Sequence, residues 1–229
     1  MKNSTLDLNQ VYLENVTLSQ SGLDPVLTHV DFELPTDQTV VVESSNPNNS
    51  LYFLQFLAGV KPCNSGRILW NGQDVFADDN VIDPREAMGV YFESGRHSIH
   101  MSVKNYLEQV MKADELQIVC EQFDLTPYLN NELSKMNYGW QKIIFMIQTI
   151  AKNPQMLILE DPAQGLTEGQ WLNFLDFIQY KQRAGFLRHI FMTNYHPTAL
   201  NHMAHNKIYL EEGIIYFDES APVKKIAHF

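Results

Sequence analysis

Two polar segments of this sequence carry residue types that could bind phosphate and a metal ion. The first, 43–50, lies between the β-branched run 39–42 and leucines at helical spacing. Backbone N–H groups at the start of a helix that follows a strand can bind an anion. The second segment is the acid pair Glu160 and Asp161, directly after the apolar run 156–159. Carboxylates in such a position can hold a divalent cation or act as a general base.

The surrounding pattern predicts the elements that would position these residues. Apolar periodicity makes the middle of the chain helical, and no repeat or linker interrupts it. The predicted strands are alternating or continuous β-type runs, at 11–16, 26–34, 39–42, 67–70, 156–159, 189–193 and 207–217. We therefore predict one α/β domain, 1–229, with a helical subdomain at about 95–150.

The composition limits the function before any motif is considered. The 229 residues are 45% apolar and 19% charged, which are ordinary values for a folded chain. Lysine and arginine number 16 against 27 acidic residues, and a net charge of −11 repels nucleic acid and anionic lipid. No stretch approaches the roughly 20 apolar residues that span a bilayer. We expect a soluble, cytoplasmic protein that binds neither nucleic acid nor lipid directly. The two lone cysteines and the late histidines indicate no metal site.

Several segments, in the right order, resemble the ATP-binding subunit of an ABC transporter over essentially the whole chain. They are 56–59 after the phosphate loop, 65–72 in the next hairpin, 88–93 leading into the Q-loop, 151–162 at the Walker B strand and 211–215 in a late hairpin. The resemblance implies a P-loop NTPase-type ABC ATPase fold, which is an α/β fold with an antiparallel β subdomain and a helical insertion.

The residues that this family uses to bind phosphate are replaced here. Ser44, Pro47 and Asn49 stand at the glycine positions of the Walker A loop, Ser50 at the lysine and Leu51 at the hydroxyl that binds Mg²⁺. Pro47 has no N–H to donate, and each lost charge-assisted hydrogen bond is worth about 1.5–3 kcal/mol. Losing several would weaken nucleotide binding by roughly three to four orders of magnitude. Because the loop is expected to be exposed, Ser50→Lys is expected to fold and to remain inactive.

The other nucleotide contacts of the family are changed as well. Gln20 stands where an aromatic ring would stack on adenine, and Glu93 stands at the Q-loop glutamine. The signature segment keeps one glycine, Gly139, and has Tyr138 where the backbone should approach phosphate closely. With the Walker A positions, these residues are interpreted as vestiges of a nucleotide site.

The catalytic positions are altered too. Glu160 and Asp161 stand in the reverse of the family's order, so the shorter Asp161 occupies the position of the general base. A displacement of about 1 Å can cost around a hundredfold in rate. Tyr195 aligns with the switch histidine, although a slip of one residue would place His196 there. Glu160, Asp161 and His196 are interpreted as vestigial, and no catalytic residue is predicted.

The joint loss of the phosphate-binding residues, the other nucleotide contacts and the catalytic residues indicates a catalytically inactive pseudo-ATPase. Such a protein would dock on a membrane transporter complex and support or regulate it. No cofactor is expected. The first alternative is a functional or weakly active ABC ATPase with a divergent site, which would use ATP and Mg²⁺. The second is a free-standing interaction module. The expected partners are an integral-membrane permease and, in some assemblies, a second ATP-binding subunit. The chain would then be peripheral to the inner or plasma membrane through its partner.

The predicted docking site lies beside the Q-loop. There Glu93 would pair with a basic residue of the permease, and Ile99 and Met101 would offer apolar contact. The alternative is that Ile99 and Met101 pack inside the helical insertion.

Overall fold

The computed structural model describes residues 8–20, 22–77, 83–95, 99–195, 197–203 and 205–218. The strands of these residues are β1 (Val11–Leu18), β2 (Leu27–Glu33), β3 (Thr39–Glu43), β4 (Ser65–Trp70), β5 (Gln73–Asp74), β6 (Met88–Tyr91), β7 (Met156–Leu159), β8 (His189–Met192), β9 (Asn206–Glu211) and β10 (Ile214–Asp218). The α-helices are α1 (Pro47–Leu57), α2 (Val103–Leu107), α3 (Ala113–Gln122), α4 (Tyr138–Ala151) and α5 (Glu168–Arg183). Short 3₁₀ helices lie at Pro84–Ala87, Glu93–Gly95, Thr126–Tyr128, Leu133–Lys135 and Pro197–His202.

The main sheet has six strands in the order β10-β9-β3-β8-β7-β6. The pairs from β9 to β6 are parallel, and only the β9–β10 hairpin is antiparallel within this sheet. Every residue of β7 and β8 is buried, as are the first four of β3. Strands that are covered on both faces have such continuous apolar runs, so the sequence pattern and the parallel pairing agree.

Two apolar clusters cover the two faces of this sheet. Val41 points to the cluster formed with α2 to α5, while its neighbours Val40 and Val42 point to the cluster formed with α1 and the second sheet. Successive side chains of a strand point to opposite faces, so a single strand joins both cores.

The second sheet is antiparallel, with the order β2-β1-β4-β5. β1 alternates between buried and less buried residues, as expected for a strand with one face on the core. The sheet is tied to the main sheet through the buried ring of His189 on β8. Its Nδ1 accepts the N–H of Asp37 at 2.8 Å, and its Nε2 lies 2.8 Å from the carbonyl oxygen of Leu8.

The described residues between β6 and β7 contain the helices α2, α3 and α4. The longest of the three, α4, buries ten of its residues against β6, α2 and α5. An α/β fold with an antiparallel sheet and a helical insertion, as the sequence predicts, is confirmed. In the described part of the chain, no helix is both long and apolar enough to cross a membrane.

Candidate functional site

The candidate site lies at the carboxyl ends of the parallel strands, where ligands of open α/β sheets bind. The segments that follow β3, β6, β7 and β8 meet there, and β9 ends at the same edge. Tyr195, after β8, contacts both the loop after β3 and Asp161, and Glu160 in turn contacts Glu93, after β6.

The loop after β3 uses its backbone N–H groups internally. Helix α1 already begins at Pro47, and its N-cap is Asn46. The Asn46 side chain accepts the N–H of Asn48 at 3.1 Å, and the Asn46 carbonyl oxygen accepts the N–H of Asn49 at 2.9 Å. The positions that should form an open phosphate cradle therefore form a capped first helical turn.

A carboxylate of the chain also lies on this loop. Glu211, the last residue of β9, accepts the N–H of Ser45 at 2.8 Å and the Ser45 hydroxyl at 2.9 Å. The N–H of Asn46 donates to the hydroxyl oxygen of Ser44. A negative charge beside the loop opposes the binding of a second anion.

The structure corrects the prediction that Ser50 is exposed. Ser50 lies in α1, not in the loop, and only 1% of its surface is accessible, while the next residue, Leu51, is half-buried. The reason is that helix α1 begins at Pro47, three residues before Ser50, so the side chain of Ser50 lies on the buried face of this helix. A lysine at this position would therefore be buried, and Ser50→Lys is no longer expected to fold normally.

Tyr195 links the loop to the acid pair. Its hydroxyl donates to the carbonyl oxygen of Pro47 at 3.2 Å, and its N–H donates to Oδ1 of Asp161 at 3.3 Å. Burial raises the pKa of the Tyr195 hydroxyl, and the nearby carboxylates of Glu160 and Asp161 raise it further against a hydrogen bond with Thr193. His196, the alternative at this position, lies outside the described residues.

Of the acid pair, Asp161 is buried and Glu160 is half-buried. Asp161 is 2% exposed, has a left-handed backbone with φ of 38°, and donates its N–H to the hydroxyl of Thr193 at 3.0 Å. Glu160 accepts the N–H of Glu93 at 2.8 Å. Burial raises the pKa of the Glu160 carboxyl, and the Glu93 and Asp161 carboxylates add to this rise, against the Glu93 amide and Lys142.

Lys142, which the sequence motifs do not single out, is the central cation of this site. Its side chain is fully buried, and its Nζ lies 2.8 Å from Oε1 of Glu93 and donates to the carbonyl oxygen of Asp161 at 2.6 Å. The rings of Tyr91 and Tyr138 each have their centroid 5.7 Å from the same Nζ. One signal was available, because Lys142 is a lone cation beside the apolar stripe of α4, and a buried lysine needs a partner.

This contact also corrects the prediction for Glu93. Its carboxylate has an internal cation, Lys142, instead of a basic residue on a partner, and it accepts the hydroxyls of Tyr91 at 2.9 Å and Tyr138 at 2.8 Å. Burial raises the pKa of Glu93, but the hydrogen bond and charge of Lys142 and the two hydroxyls outweigh it, so the pKa is lowered overall.

The start of α4, where the signature segment lies, is closed by the chain itself. Asn137 is the N-cap and accepts the N–H of Trp140 at 3.0 Å. A Cβ on Gly139 would lie 2.6 Å from the carbonyl oxygen of Gly165, and a Cβ on Gly165 would lie 2.2 Å from the ring of Tyr138. The close approach that Gly139 permits is therefore to the loop 163–167 of the same chain.

The remaining predicted residues lie away from this cluster. Gln20 follows β1, and its carbonyl oxygen accepts the N–H of Leu23. Ile99 and Met101 are half-buried against the helical cluster, and their carbonyl oxygens accept the N–H groups of Ser134 and Leu133. Both side chains therefore pack in part within the helical insertion, and each keeps an exposed part that a partner could contact. No group of three or more histidine, cysteine or acidic side chains that could hold a metal ion occurs among the described residues.

Comparison with known proteins shows the family. The ABC transporter family model matches residues 27–164, which is more than half of the chain, so the chain belongs to the ABC transporter family.

Two curated relatives are similar along most of this chain. A putative ABC transporter ATP-binding protein of Bacillus cereus is 24% identical over 92% of the chain, but the match covers 38% of that protein. The energy-coupling factor transporter ATP-binding protein EcfA1 of Staphylococcus aureus is 23% identical over 94% of the chain and 83% of its own length. The chain thus spans well under half the length of the first of these relatives.

Solved structures show the same fold. The ATP binding subunit of an ABC transporter superimposes with a TM-score of 0.73 at 14% identity and covers 91% of this chain and 90% of its own. The cbiO1 subunit of Clostridium perfringens, part of the ABC transporter complex cbiONQ, superimposes with a TM-score of 0.70 at 16% identity over 90% and 86% of the two chains. The ABC ATPase fold that the sequence predicts is confirmed.

Proposed function

We propose that this chain is a catalytically inactive ABC-type subunit that docks on a membrane transporter and supports or regulates it. The observation that carries the proposal is the closed loop after β3. Its N–H groups are used by the Asn46 cap and by the Glu211 carboxylate, in the place where the fold binds phosphate.

The residues present do not fit a magnesium nucleotide. The lysine position is a buried serine, and the hydroxyl position is Leu51. Tyr195 lies between the loop after β3 and Asp161 and donates a hydrogen bond to each. The buried ammonium of Lys142 compensates the charge of Glu93. Each of these groups would have to move or lose a partner before a phosphate and its cation could enter, and unmade buried hydrogen bonds are costly.

The proposed partners follow from the relatives. EcfA1 is the ATP-binding protein of an energy-coupling factor transporter, cbiO1 is part of an ABC transporter complex, and this chain is similar to both over most of its length. We therefore propose an integral-membrane permease as its partner, and a second, intact ATP-binding subunit in assemblies that hydrolyse ATP. The chain would then lie at the cytoplasmic face of the inner or plasma membrane.

A weakly active ATPase is the second candidate, and one observation favours it. Both acids of the Walker B region are retained directly after β7, and Asp161, which stands at the position of the family's general base, is a carboxylate that could accept a proton. Nucleotide binding separates the two candidates.

The test is a melting experiment with millimolar Mg-ATP. A ligand at a hundred times its Kd stabilises the native state by about 2.7 kcal/mol, which raises the melting midpoint of a chain of this size by about 5–10 °C. We expect no shift, because the loop has no free cradle. The S. aureus EcfA1 protein, assayed alongside, serves as the positive control. A saturable shift in this chain would overturn the proposal and favour the weakly active ATPase.

A further inference from the structure

The cluster around the buried Lys142 joins three parts of the chain that are far apart in sequence. Glu93 follows β6, Lys142 and Tyr138 are on α4, and Asp161 follows β7. We infer that these four residues, here called the latch, hold the helical insertion against the main sheet without any bound ligand. This inference rests on the proposed function, since a nucleotide would otherwise make such contacts.

The first support is the position of Lys142. A fully buried lysine is rare and is tolerated only with a close partner of opposite charge. Here the Glu93 carboxylate at 2.8 Å neutralises the ammonium, and the Asp161 carbonyl oxygen at 2.6 Å accepts a second of its N–H groups. Helix α4 is therefore fixed to two different strand ends by one atom.

The second support is the arrangement around Tyr138. Its hydroxyl donates to the same Oε1 of Glu93 that faces Lys142. Its ring fills the space at Gly165, whose φ of +75° is disfavoured for other residues. The start of α4 is thus clamped between the segment after β6 and the loop after β7.

The latch has an electrostatic reason to stay closed. Glu160 and Glu93 lie close together, since the Glu93 N–H donates to Glu160, and their charges repel. The Lys142 ammonium is the cation that offsets this repulsion. Separation of α4 from the sheet would leave the acids without it and would expose the ammonium's apolar surroundings to water.

The experiment is hydrogen exchange, measured by mass spectrometry on the protein without nucleotide, metal or partner. Lys142→Met keeps the length of the side chain and removes its charge. We expect amide exchange to rise at least tenfold in the three segments that the latch joins, 91–95, 136–141 and 161–167. We also expect the melting midpoint to fall by about 10 °C, as when a buried ion pair loses one member.

Lys181→Met is the matched control. Lys181 is equally buried, pairs with Glu115, and has Nζ 2.7 Å from Oδ1 of Asn153. Its loss should lower the melting midpoint similarly, while the three segments keep wild-type exchange. If Lys142→Met leaves exchange in these segments unchanged, or raises it only as much as Lys181→Met does, there is no latch.

A second variant covers the case in which Lys142→Met does not fold. Glu93→Gln with Lys142→Met removes both charges, so no lone charge is buried, and the double variant should fold with fast exchange in the three segments. Native protection there, or failure of this variant to fold, would also overturn the latch. Because no nucleotide is present, the two failures are distinguishable: unchanged exchange overturns the latch alone, whereas a saturable melting shift with Mg-ATP overturns the proposed function.

Discussion

At the scale of single residues, the acids of the site have become parts of a packed cluster. Glu160 accepts the N–H of Glu93, and its carboxylate lies near those of Glu93 and Asp161. A carboxylate that lies close to other carboxylates lowers the stability of the folded state unless it binds a ligand. In this chain the contact that Glu160 makes needs an oxygen atom and not a charge.

Glu160→Gln is therefore expected to stabilise the protein at neutral pH. Burial raises the pKa of Glu160 in the folded state, so the folded chain holds the proton better than the unfolded chain does. The ionised group thus lowers stability at pH 7, and this loss disappears as the pH falls below the ordinary pKa of glutamate. The glutamine amide still offers an oxygen to the Glu93 N–H. We expect the melting midpoint to rise by a few degrees at pH 7 and the gain to vanish near pH 4.

Melting curves between pH 4 and pH 8 measure this effect. Glu121→Gln, at an exposed position on α3, is the control and should change the midpoint little at any pH. A variant at position 160 that melts below the wild type at pH 7 would mean that the charge helps to hold Lys142, contrary to the prediction.

At the scale of elements, Gly139 gives a sharp test of how α4 is packed. Alanine is favoured over glycine inside a helix by about 1 kcal/mol. At position 139, however, the added Cβ would lie 2.6 Å from a backbone oxygen, that of Gly165. We expect Gly139→Ala to lower the melting midpoint by about 5 °C, because a backbone atom must shift.

Gly169, near the start of α5, is the matched control. A Cβ there has no atom within 4 Å, so Gly169→Ala should keep or slightly raise the midpoint. Thermal unfolding of the two variants in one buffer decides the question. Equal midpoints for both variants would show that the loop at Gly165 yields easily and that α4 is not clamped.

The elements themselves were largely readable from the sequence. The runs at 39–42, 156–159 and 189–193 predict strands, and β3, β7 and β8 lie there, because a strand buried on both faces must be apolar throughout. The loop that follows β3 lies where the sequence predicts it. Its first helical turn was missed, since an Asn-Pro step fits both an open loop and a capped helix start.

The partners of Glu93 were not readable. Tyr138, which donates to it, is 45 residues away, and Lys142 is further along the same helix. Neither propensity nor periodicity carries information about which side chains meet across a fold. A lysine among isoleucines shows only that a partner exists. The identity of that partner follows from the register of β6, β7 and α4, which needs the three-dimensional structure.

At the scale of the whole molecule, the proposed docking surface beside the Q-loop can be tested through Met101. Met101 is half-buried and packs on the helical cluster, and Glu93 no longer serves as a probe because it belongs to the latch. We expect Met101→Asp to lower the recovery of a polytopic membrane protein about tenfold or more, since a buried carboxylate without a partner weakens an interface. The measurement is affinity purification from membranes solubilised in mild detergent, with mass spectrometry.

Leu23→Asp is the control for this experiment. Leu23 is 53% exposed in the connection between β1 and β2, on the other sheet. It should not change recovery. Both variants are first checked for wild-type circular dichroism. If folded Met101→Asp retains its partner as the wild type does, the permease binds elsewhere.

The topology of the main sheet has a consequence for synthesis. β3 lies between β8 and β9, and His189 accepts the N–H of Asp37, 152 residues earlier. The ribosome thus makes β3 early and its neighbours late, whereas the four-stranded sheet is complete once Asp74 has emerged. Pairings between distant segments form slowly, because a long loop must close first. The uncharged run of Thr39 and three valines therefore has no partner strand during most of translation. The nascent chain is for this reason more at risk of aggregation than the folded protein.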